Sequence, residues 1–158
     1  MIYNKYGKSG IKISAISCGG MRFEKPEDTD AAAELVKKIH SVGINYFDTA
    51  PGYTNSEQIF GKALPEIIRK SGRESFYIST KTSAETPSEA KKDLETSLSR
   101  MNLSYIDFYH LWCVMDIQDY ETRKKNGVLK IFEQLKDEGL IKHICISTHM
   151  SGDDIKKV

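Results

Sequence analysis

Four residues capable of proton chemistry stand at or just after short apolar runs of the kind that form β-strands. Asp48, Lys81 and His110 each follow such a run directly, and Tyr53 lies five residues beyond Asp48, across a Pro-Gly turn. Because the carboxyl ends of parallel strands meet at one edge of a sheet or barrel, we expect these four side chains to form one site.

These residue types suit the transfer of hydride from a nicotinamide to a carbonyl carbon, since negative charge then builds on the carbonyl oxygen. Tyr53 can donate a proton to that oxygen. A phenol is a poor acid at neutral pH, and we expect the ammonium group of Lys81 to lower the pKa of Tyr53. Asp48 would supply the counter-charge for Lys81, and His110 would donate to the same oxygen and orient the substrate.

Three other interpretations of these residues stay open. A lysine at a strand end also suits a Schiff-base aldolase, although an adjacent Asp48 favours the charged ammonium over the free amine that this chemistry needs. A reductase-like subunit that binds a nucleotide and regulates a partner protein could keep the same residues. The chain could also be an inactive fragment in which Lys81 and Asp48 form only a structural ion pair.

An alternation of short strands and amphipathic helices positions these residues. Strands are predicted at residues 15–18, 45–47, 76–80, 106–110 and 144–146. Helices are predicted at 29–41, from Ser56 onward, from the capping box Thr86-Pro87-Ser88-Glu89 to Met101, and from Val128 to Gly139, with a further turn or two in 151–158.

Several local expectations follow from the same pattern. The buried face of the first helix is predicted as Ala32, Leu35, Val36, Ile39 and Val42. Pro65 should kink or break the second helix, which Ser56 can cap. The polar segment 116–126 is interpreted as a connection.

This order predicts an α/β fold with about five strands and their helices, preceded by a β-hairpin over residues 3–13. The order alone does not separate an open sheet from a closed barrel. Polar residues at successive strand ends favour the barrel over an open sheet. The Gly19-Gly20 turn is not the glycine fingerprint of a dinucleotide-binding open sheet, and suits a sharp turn or the close approach of a ligand.

Composition excludes several classes of partner. The 158 residues carry a formal net charge of +1, which predicts no nucleic-acid partner. The 39% of hydrophobic residues lie in short runs, which predicts a cytoplasmic protein without a membrane span. The three cysteines are far apart, so we expect free thiols and no metal site.

The chain resembles the aldo-keto reductases. The similarity is carried by residues 43–50 with Tyr53, by Ser56-Glu57 and Gly61, by Ser79-Thr80-Lys81, by Asp107-Phe108-Tyr109-His110, and by residues 139–144. It implies an NAD(P)H-dependent carbonyl reductase in which Asp48, Tyr53, Lys81 and His110 form a catalytic tetrad and the substrate is a small aldehyde or ketone. Residues 21–23 and 147–149 are similar to the branch of the family with an added iron-sulfur domain.

The resemblance also implies a cofactor site. Gly20, Met21, Asp48 and Ser147 are expected to contact NADP(H), with NAD(H) left open. The family usually presents Ser-Asn to the nicotinamide carboxamide where this chain has Ser147-Thr148, so only Ser147 carries over.

Length is the largest departure from the family. The resemblance implies a (β/α)8 TIM barrel, which needs about 250 residues when complete. We therefore expect residues 1–158 to be the N-terminal part of an aldo-keto reductase barrel, incomplete here with about five strands and their helices, without the segments that hold the rest of the cofactor. Five strands would leave an open barrel edge, through which the chain could self-associate.

Overall fold

The computed structural model describes residues 1–158 and shows strands and helices alternating along the chain. The strands are β1 (Tyr3–Lys5), β2 (Lys12–Ser14), β3 (Cys18–Gly19), β4 (Tyr46–Asp48), β5 (Tyr77–Thr82), β6 (Ile106–Val114) and β7 (Ile141–Thr148). The helices are α1 (Thr29–Ser41), α2 (Ser56–Ser71), α3 (Pro87–Met101), α4 (Ile117–Lys125), α5 (Val128–Asp137) and α6 (Gly152–Ile155).

The strands form two sheets. β1 and β2 pair in antiparallel fashion, which confirms the predicted N-terminal hairpin. The other five strands form one sheet in the order β3-β4-β5-β6-β7, and they pair in parallel. This arrangement confirms the predicted α/β fold with about five strands and their helices.

The chain divides into two compact units, residues 1–79 with 99–103 and residues 80–98 with 104–158. The core of the first unit is aromatic on the helix-facing side of β4. The ring of Phe47 lies 5.5 Å from that of Phe60 and 5.8 Å from that of Phe76, and all three side chains are fully buried. Since side chains alternate along a strand, Tyr46 and Asp48 lie on the opposite face of β4.

Helix α1 has the predicted bounds, and Asp28 caps it by accepting a hydrogen bond from the Ala31 N–H. The predicted buried face is wrong at Leu35 and Val42, which are 51% and 54% exposed. The small side chains of Ala32 and Ala33 are buried instead, with Val36, so the buried stripe is narrower than the apolar pattern.

Helix α2 runs without interruption past Pro65, so the predicted break is wrong. Proline has no N–H to offer the carbonyl group of Gly61, four residues earlier. That carbonyl accepts a hydrogen bond from Asn102 Nδ2 at 3.2 Å instead. The predicted cap is also wrong, because Asn55 precedes the helix and Ser56 is its first, buried residue.

Helix α3 of the second unit begins as the sequence predicts. Thr86 and Glu89 form the capping box of α3: Glu89 Oε2 accepts from the Thr86 N–H at 3.1 Å, and Thr86 Oγ1 accepts from the Glu89 N–H at 3.4 Å. The hydrogen bonds to the Thr86 side chain and to the Glu85 N–H lower the pKa of Glu89. Ala90 and Leu94 lie on the buried face of this helix.

Three expectations for this unit are wrong. The polar segment 116–126 contains the helix α4, which Asp116 caps by accepting from the Asp119 N–H at 2.8 Å. β6 continues four residues beyond His110, which is therefore in mid-strand and not at a strand end. β7 is likewise longer than predicted, at eight residues.

No helix in residues 1–158 is long and apolar enough to cross a membrane.

Candidate active site

Asp48 is the last residue of β4, and its carboxylate is anchored on the neighbouring strand. Ser79 lies opposite it in register on β5 and donates a hydrogen bond from Oγ to Asp48 Oδ1 at 2.5 Å. The next residue, Thr49, donates its N–H to the Ser79 carbonyl oxygen at 2.9 Å. Ser79 therefore contacts both the side chain and the following peptide of Asp48.

The loop that carries Tyr53 is closed at its base. Thr49 Oγ1 and Ser56 Oγ, both buried, share a hydrogen bond of 2.7 Å across the loop. Within the loop, Tyr53 donates its N–H to the Ala50 carbonyl at 3.0 Å and accepts from the Ser56 N–H at 2.8 Å. Thr54 then adopts the left-handed φ of 43°, which turns the chain into α2. The main chain of Tyr53 is thus fixed from both sides.

The phenol of Tyr53 is half-buried and responds to Asp48. Burial raises its pKa, and the negative charge of Asp48 raises it further. The direction is opposite to the lowering that the sequence led us to expect from Lys81. The phenol therefore stays protonated at neutral pH.

The two glycines near β3 differ in the space that surrounds them. A side chain at Gly20 would come within 2.1 Å of Ser56 Oγ and 2.8 Å of Phe60, so the close approach there is made by the protein itself. Gly19 is opposite Asp48 in register and has open space where a side chain would begin. Met21 follows in a 3-10 turn and is 54% exposed.

Lys81 lies in the second unit, as the penultimate residue of β5, and is only 5% exposed. The next residue, Thr82, donates from Oγ1 to Asp93 Oδ2 at 2.5 Å and accepts from the Ala84 N–H at 3.0 Å. These bonds fix the end of β5 against α3. The lysine is therefore held in a rigid, largely buried segment.

His110 and Ser147 lie in the same unit on adjacent strands. His110 is half-buried and opposite Cys145 in register. Ser147 is the penultimate residue of β7 and is half-buried, two residues beyond Cys145. Asp48, Tyr53, Gly20 and Met21 belong to the first unit, and Lys81, His110 and Ser147 to the second.

The cysteines are free thiols. Burial raises the pKa of Cys18 and of Cys145 to about 11. Cys113 has a left-handed φ of 56°, at an irregularity in the pairing of β6 with β7, and its Sγ lies 3.6 Å from Met115 Sδ. No cluster of three or more His, Cys, Asp or Glu side chains in residues 1–158 could hold a metal ion.

Hydrogen bonds from a buried arginine, Arg123, hold the segment after Cys113, and the sequence analysis did not single out this residue. We call these bonds the Arg123 clamp. Arg123 donates from Nε and Nη2 to the two carboxylate oxygens of Asp119, at 2.7 and 3.0 Å, and from Nη1 to the Trp112 carbonyl at 2.9 Å. Asp119 also accepts from the Met115 N–H at 3.1 Å. The i, i+4 spacing of Asp119 and Arg123 was the available signal.

Comparisons with known proteins agree with this fold. The sequence model of the aldo/keto reductase family matches residues 15–158. L-galactose dehydrogenase of Arabidopsis thaliana is 34% identical over 119 residues, which is 66% of this chain and 35% of that protein. A probable voltage-gated potassium channel subunit beta of the same organism is 32% identical over 125 residues, 72% of this chain and 37% of that protein.

A solved structure gives the same result. The holo form of an aldo-keto reductase from Bacillus halodurans superimposes with a TM-score of 0.81 at 27% identity, covering 99% of this chain and 53% of that one. The chain thus spans about half of that structure and about a third of the two plant proteins. On the family match over residues 15–158 and this structural agreement, the chain belongs to the aldo/keto reductase family.

Proposed function

We propose that residues 1–158 are the N-terminal part of an aldo-keto reductase barrel, and that this barrel reduces a small aldehyde or ketone with NADPH. Family membership over residues 15–158 and the parallel order of five strands support the proposal. The matched proteins are two to three times as long as the matched part, which fits a barrel completed by further strands.

Tyr53 is the proposed proton donor, and the observation that carries this assignment is the hydrogen-bonded loop after Asp48 that fixes the main chain of Tyr53. A phenol is protonated at neutral pH and so has a proton to give. When a nicotinamide is bound, it supplies the hydride to the carbonyl carbon. As the carbon–oxygen double bond becomes a single bond, Tyr53 gives its proton to the oxygen and later regains one from solvent.

Lys81 and His110 are proposed to complete the tetrad with Asp48 and Tyr53. A raised pKa makes a phenol a weaker acid, so an ammonium group such as that of Lys81 would help Tyr53 release its proton. His110 would donate a hydrogen bond to the substrate oxygen. The rival assignment of Lys81 as a Schiff-base lysine predicts that borohydride traps an aldehyde covalently on it, and the reductase assignment predicts no such adduct.

The proposed cofactor residues fit part of a nicotinamide. The Ser147 hydroxyl group can both donate and accept, as a carboxamide requires. The open space at Gly19 would let a flat ring approach the backbone beside Asp48. Gly20 and Met21 follow directly, although packing against Ser56 and Phe60 already explains the glycine at position 20. NADP(H) is proposed, with NAD(H) as the alternative.

A second candidate function is nucleotide binding without turnover, in a subunit that regulates a partner protein. The 32% identity to a probable potassium channel subunit beta favours keeping it. The two candidates differ in turnover: a reductase oxidises NADPH when aldehyde is added, whereas a regulatory subunit binds NADPH tightly and oxidises it slowly.

Self-association is proposed for the chain when it stands alone. β7 is the last strand in the order of the five-stranded sheet, and Ile144 on it is 37% exposed. An unpaired strand edge readily accepts a strand from another chain.

The experiment is a fluorescence titration of the purified chain with NADPH, with the mass in solution measured in parallel. Saturable binding would support the proposed cofactor site, and a defined oligomer would support the self-association. A folded chain that binds neither NADPH nor NADH would show that residues 20, 21, 48 and 147 do not hold the cofactor by themselves and that the function belongs to a longer chain.

A further inference from the structure

A line of hydroxyl groups leads from the N-terminal hairpin region to Asp48. Ser79 donates to Asp48 Oδ1 at 2.5 Å. Side-chain hydrogen bonds join Tyr46 to Ser79 and Tyr46 to Tyr6. The rings of Tyr6 and Tyr46 lie 5.8 Å apart at an interplanar angle of 45°. All four residues belong to the first unit of the chain.

The directions of these hydrogen bonds follow from the acceptors near Ser79 and from the pKa of Tyr46. A hydroxyl group can donate and accept at the same time. Ser79 donates to Asp48, since the Phe47 carbonyl lies farther away, at 3.5 Å. The hydrogen bond with Ser79 lowers the pKa of Tyr46 and the one with Tyr6 raises it, so Tyr46 is an acceptor toward Ser79 and a donor toward Tyr6. The Ser79 hydroxyl group therefore lies between Asp48 and Tyr46 and is in contact with both.

The inner part of this line of hydroxyl groups is shielded from solvent. Ser79 is fully buried, and Tyr46 is half-buried beside it on the face of β4 turned away from Phe47. Burial is the main cause that raises the pKa of Tyr46 above the ordinary phenol range, while the hydrogen bond with Ser79 acts in the opposite direction. Tyr46 therefore stays protonated at neutral pH and can donate to Tyr6.

We propose that Ser79 and Tyr46 are positioning residues that fix the carboxylate of Asp48, with Tyr6 as the outer end of the line. The inference rests on the proposed function, in which Asp48 belongs to the catalytic tetrad. Neither side chain touches substrate in this account. Tyr46 precedes Asp48 along β4, and Tyr53 lies in the loop that follows the strand.

The fixed carboxylate has a measurable effect on Tyr53. The charge of Asp48 raises the pKa of Tyr53, after the larger effect of burial. Without the Ser79 hydroxyl, the carboxylate loses this hydrogen bond, and we expect its position relative to Tyr53 to be less fixed. The effect on Tyr53 then becomes smaller.

The test is an NMR titration of Tyr53 in the whole chain, with tyrosine labelled with carbon-13 at Cζ. We expect Asp48→Asn to lower the pKa of Tyr53, Ser79→Ala to lower it by less, and Tyr46→Phe to lower it least. Tyr3→Phe is the matched control, since its hydroxyl group donates to the Gly43 carbonyl at 2.9 Å, and it should leave Tyr53 unchanged.

One result would overturn the proposal. In it, Asp48→Asn lowers the pKa of Tyr53, but Tyr53 titrates as in the wild type in both Ser79→Ala and Tyr46→Phe. If Ser79→Ala does not fold, Tyr46→Phe decides alone, because it keeps the ring and removes only the hydroxyl group. Ser79→Thr, which restores a hydroxyl group, should titrate as the wild type does. The titration uses no cofactor or substrate, so an inactive protein would refute the proposed function and leave this result standing.

Discussion

Thr49 and Ser56 join their buried hydroxyl groups at 2.7 Å and so close the base of the loop that carries Tyr53. Both side chains are at most 1% exposed. Ser56 also donates its N–H to the Tyr53 carbonyl, so the same residue fixes the loop through its side chain and its main chain. The position of the proposed proton donor depends on this pair.

Replacing Thr49 by valine should destabilise the protein, because it keeps the shape of the side chain and leaves the Ser56 hydroxyl buried without this partner. We expect a loss of about 1–3 kcal/mol in the free energy of unfolding, measured by urea denaturation. The control is Thr122→Val on the exposed side of α4, where the hydroxyl group bonds only to the Gln118 carbonyl. Equal losses in the two variants would contradict the role given to the pair.

Gly61→Ala should be among the most destabilising single substitutions in the first unit. A Cβ atom there would lie 1.9 Å from the Arg100 carbonyl oxygen, which is backbone and cannot move aside cheaply. We expect a loss of at least about 3 kcal/mol, or failure to fold. Gly152→Ala is the matched control, since nothing lies within 4 Å of that Cβ position. Similar unfolding midpoints for the two variants would show that the close approach is absent.

Stability should fall as the pH rises above about 9, in part because of Cys18. Burial raises the pKa of this thiol from 9.0 to about 11. The unfolded state therefore ionises first, and the native state loses stability between pH 9 and 11, by up to about 2–3 kcal/mol for this group. Cys18→Ala should flatten the curve in this range, as measured by urea unfolding at each pH. A curve as steep as that of the wild type would argue against a buried thiol.

Replacing Arg123 by methionine should remove the Arg123 clamp, the hydrogen bonds that hold the segment after β6. The substitution removes three hydrogen bonds and leaves the Trp112 carbonyl and Asp119 without these donors, so hydrogen exchange over residues 112–119 should become faster. Lys124→Met is the control, because Lys124 makes surface contacts, a solvent-exposed ion pair with Glu121 and a cation–π contact with Tyr120, and no contact with residues 112–119 that is comparable to the arginine bonds. Unchanged exchange in the arginine variant would rule out the clamp.

Local signals in the sequence predicted the elements that depend on neighbouring residues. The Asp28 cap and the helical spacing of apolar residues gave α1 with its observed bounds, and the Thr86–Glu89 box gave the start of α3. In both cases the hydrogen bonds that define the end of the helix join residues three apart in the chain.

The failures involve partners that are distant in the sequence. Pro65 does not end α2 because Asn102, beyond the next helix, takes the carbonyl that the proline leaves without its usual donor. The anchoring of Asp48 by Ser79 requires the register of two strands, which the sequence does not state. α4 is the exception: the spacing of Asp119 and Arg123 was a local signal, but the segment has little apolar periodicity to indicate a helix.

Turnover by a Tyr53→Phe variant tests the central claim most directly. The measurement is the rate of NADPH oxidation with 4-nitrobenzaldehyde as the probe substrate. The substitution is made in the gene, and the protein is purified from the organism that produces it. We expect a loss of about 100-fold or more with NADPH affinity retained, because the substitution removes only the proton donor. Normal turnover by Tyr53→Phe would contradict the account, as would the absence of NADPH oxidation by the wild-type protein with any aldehyde or ketone.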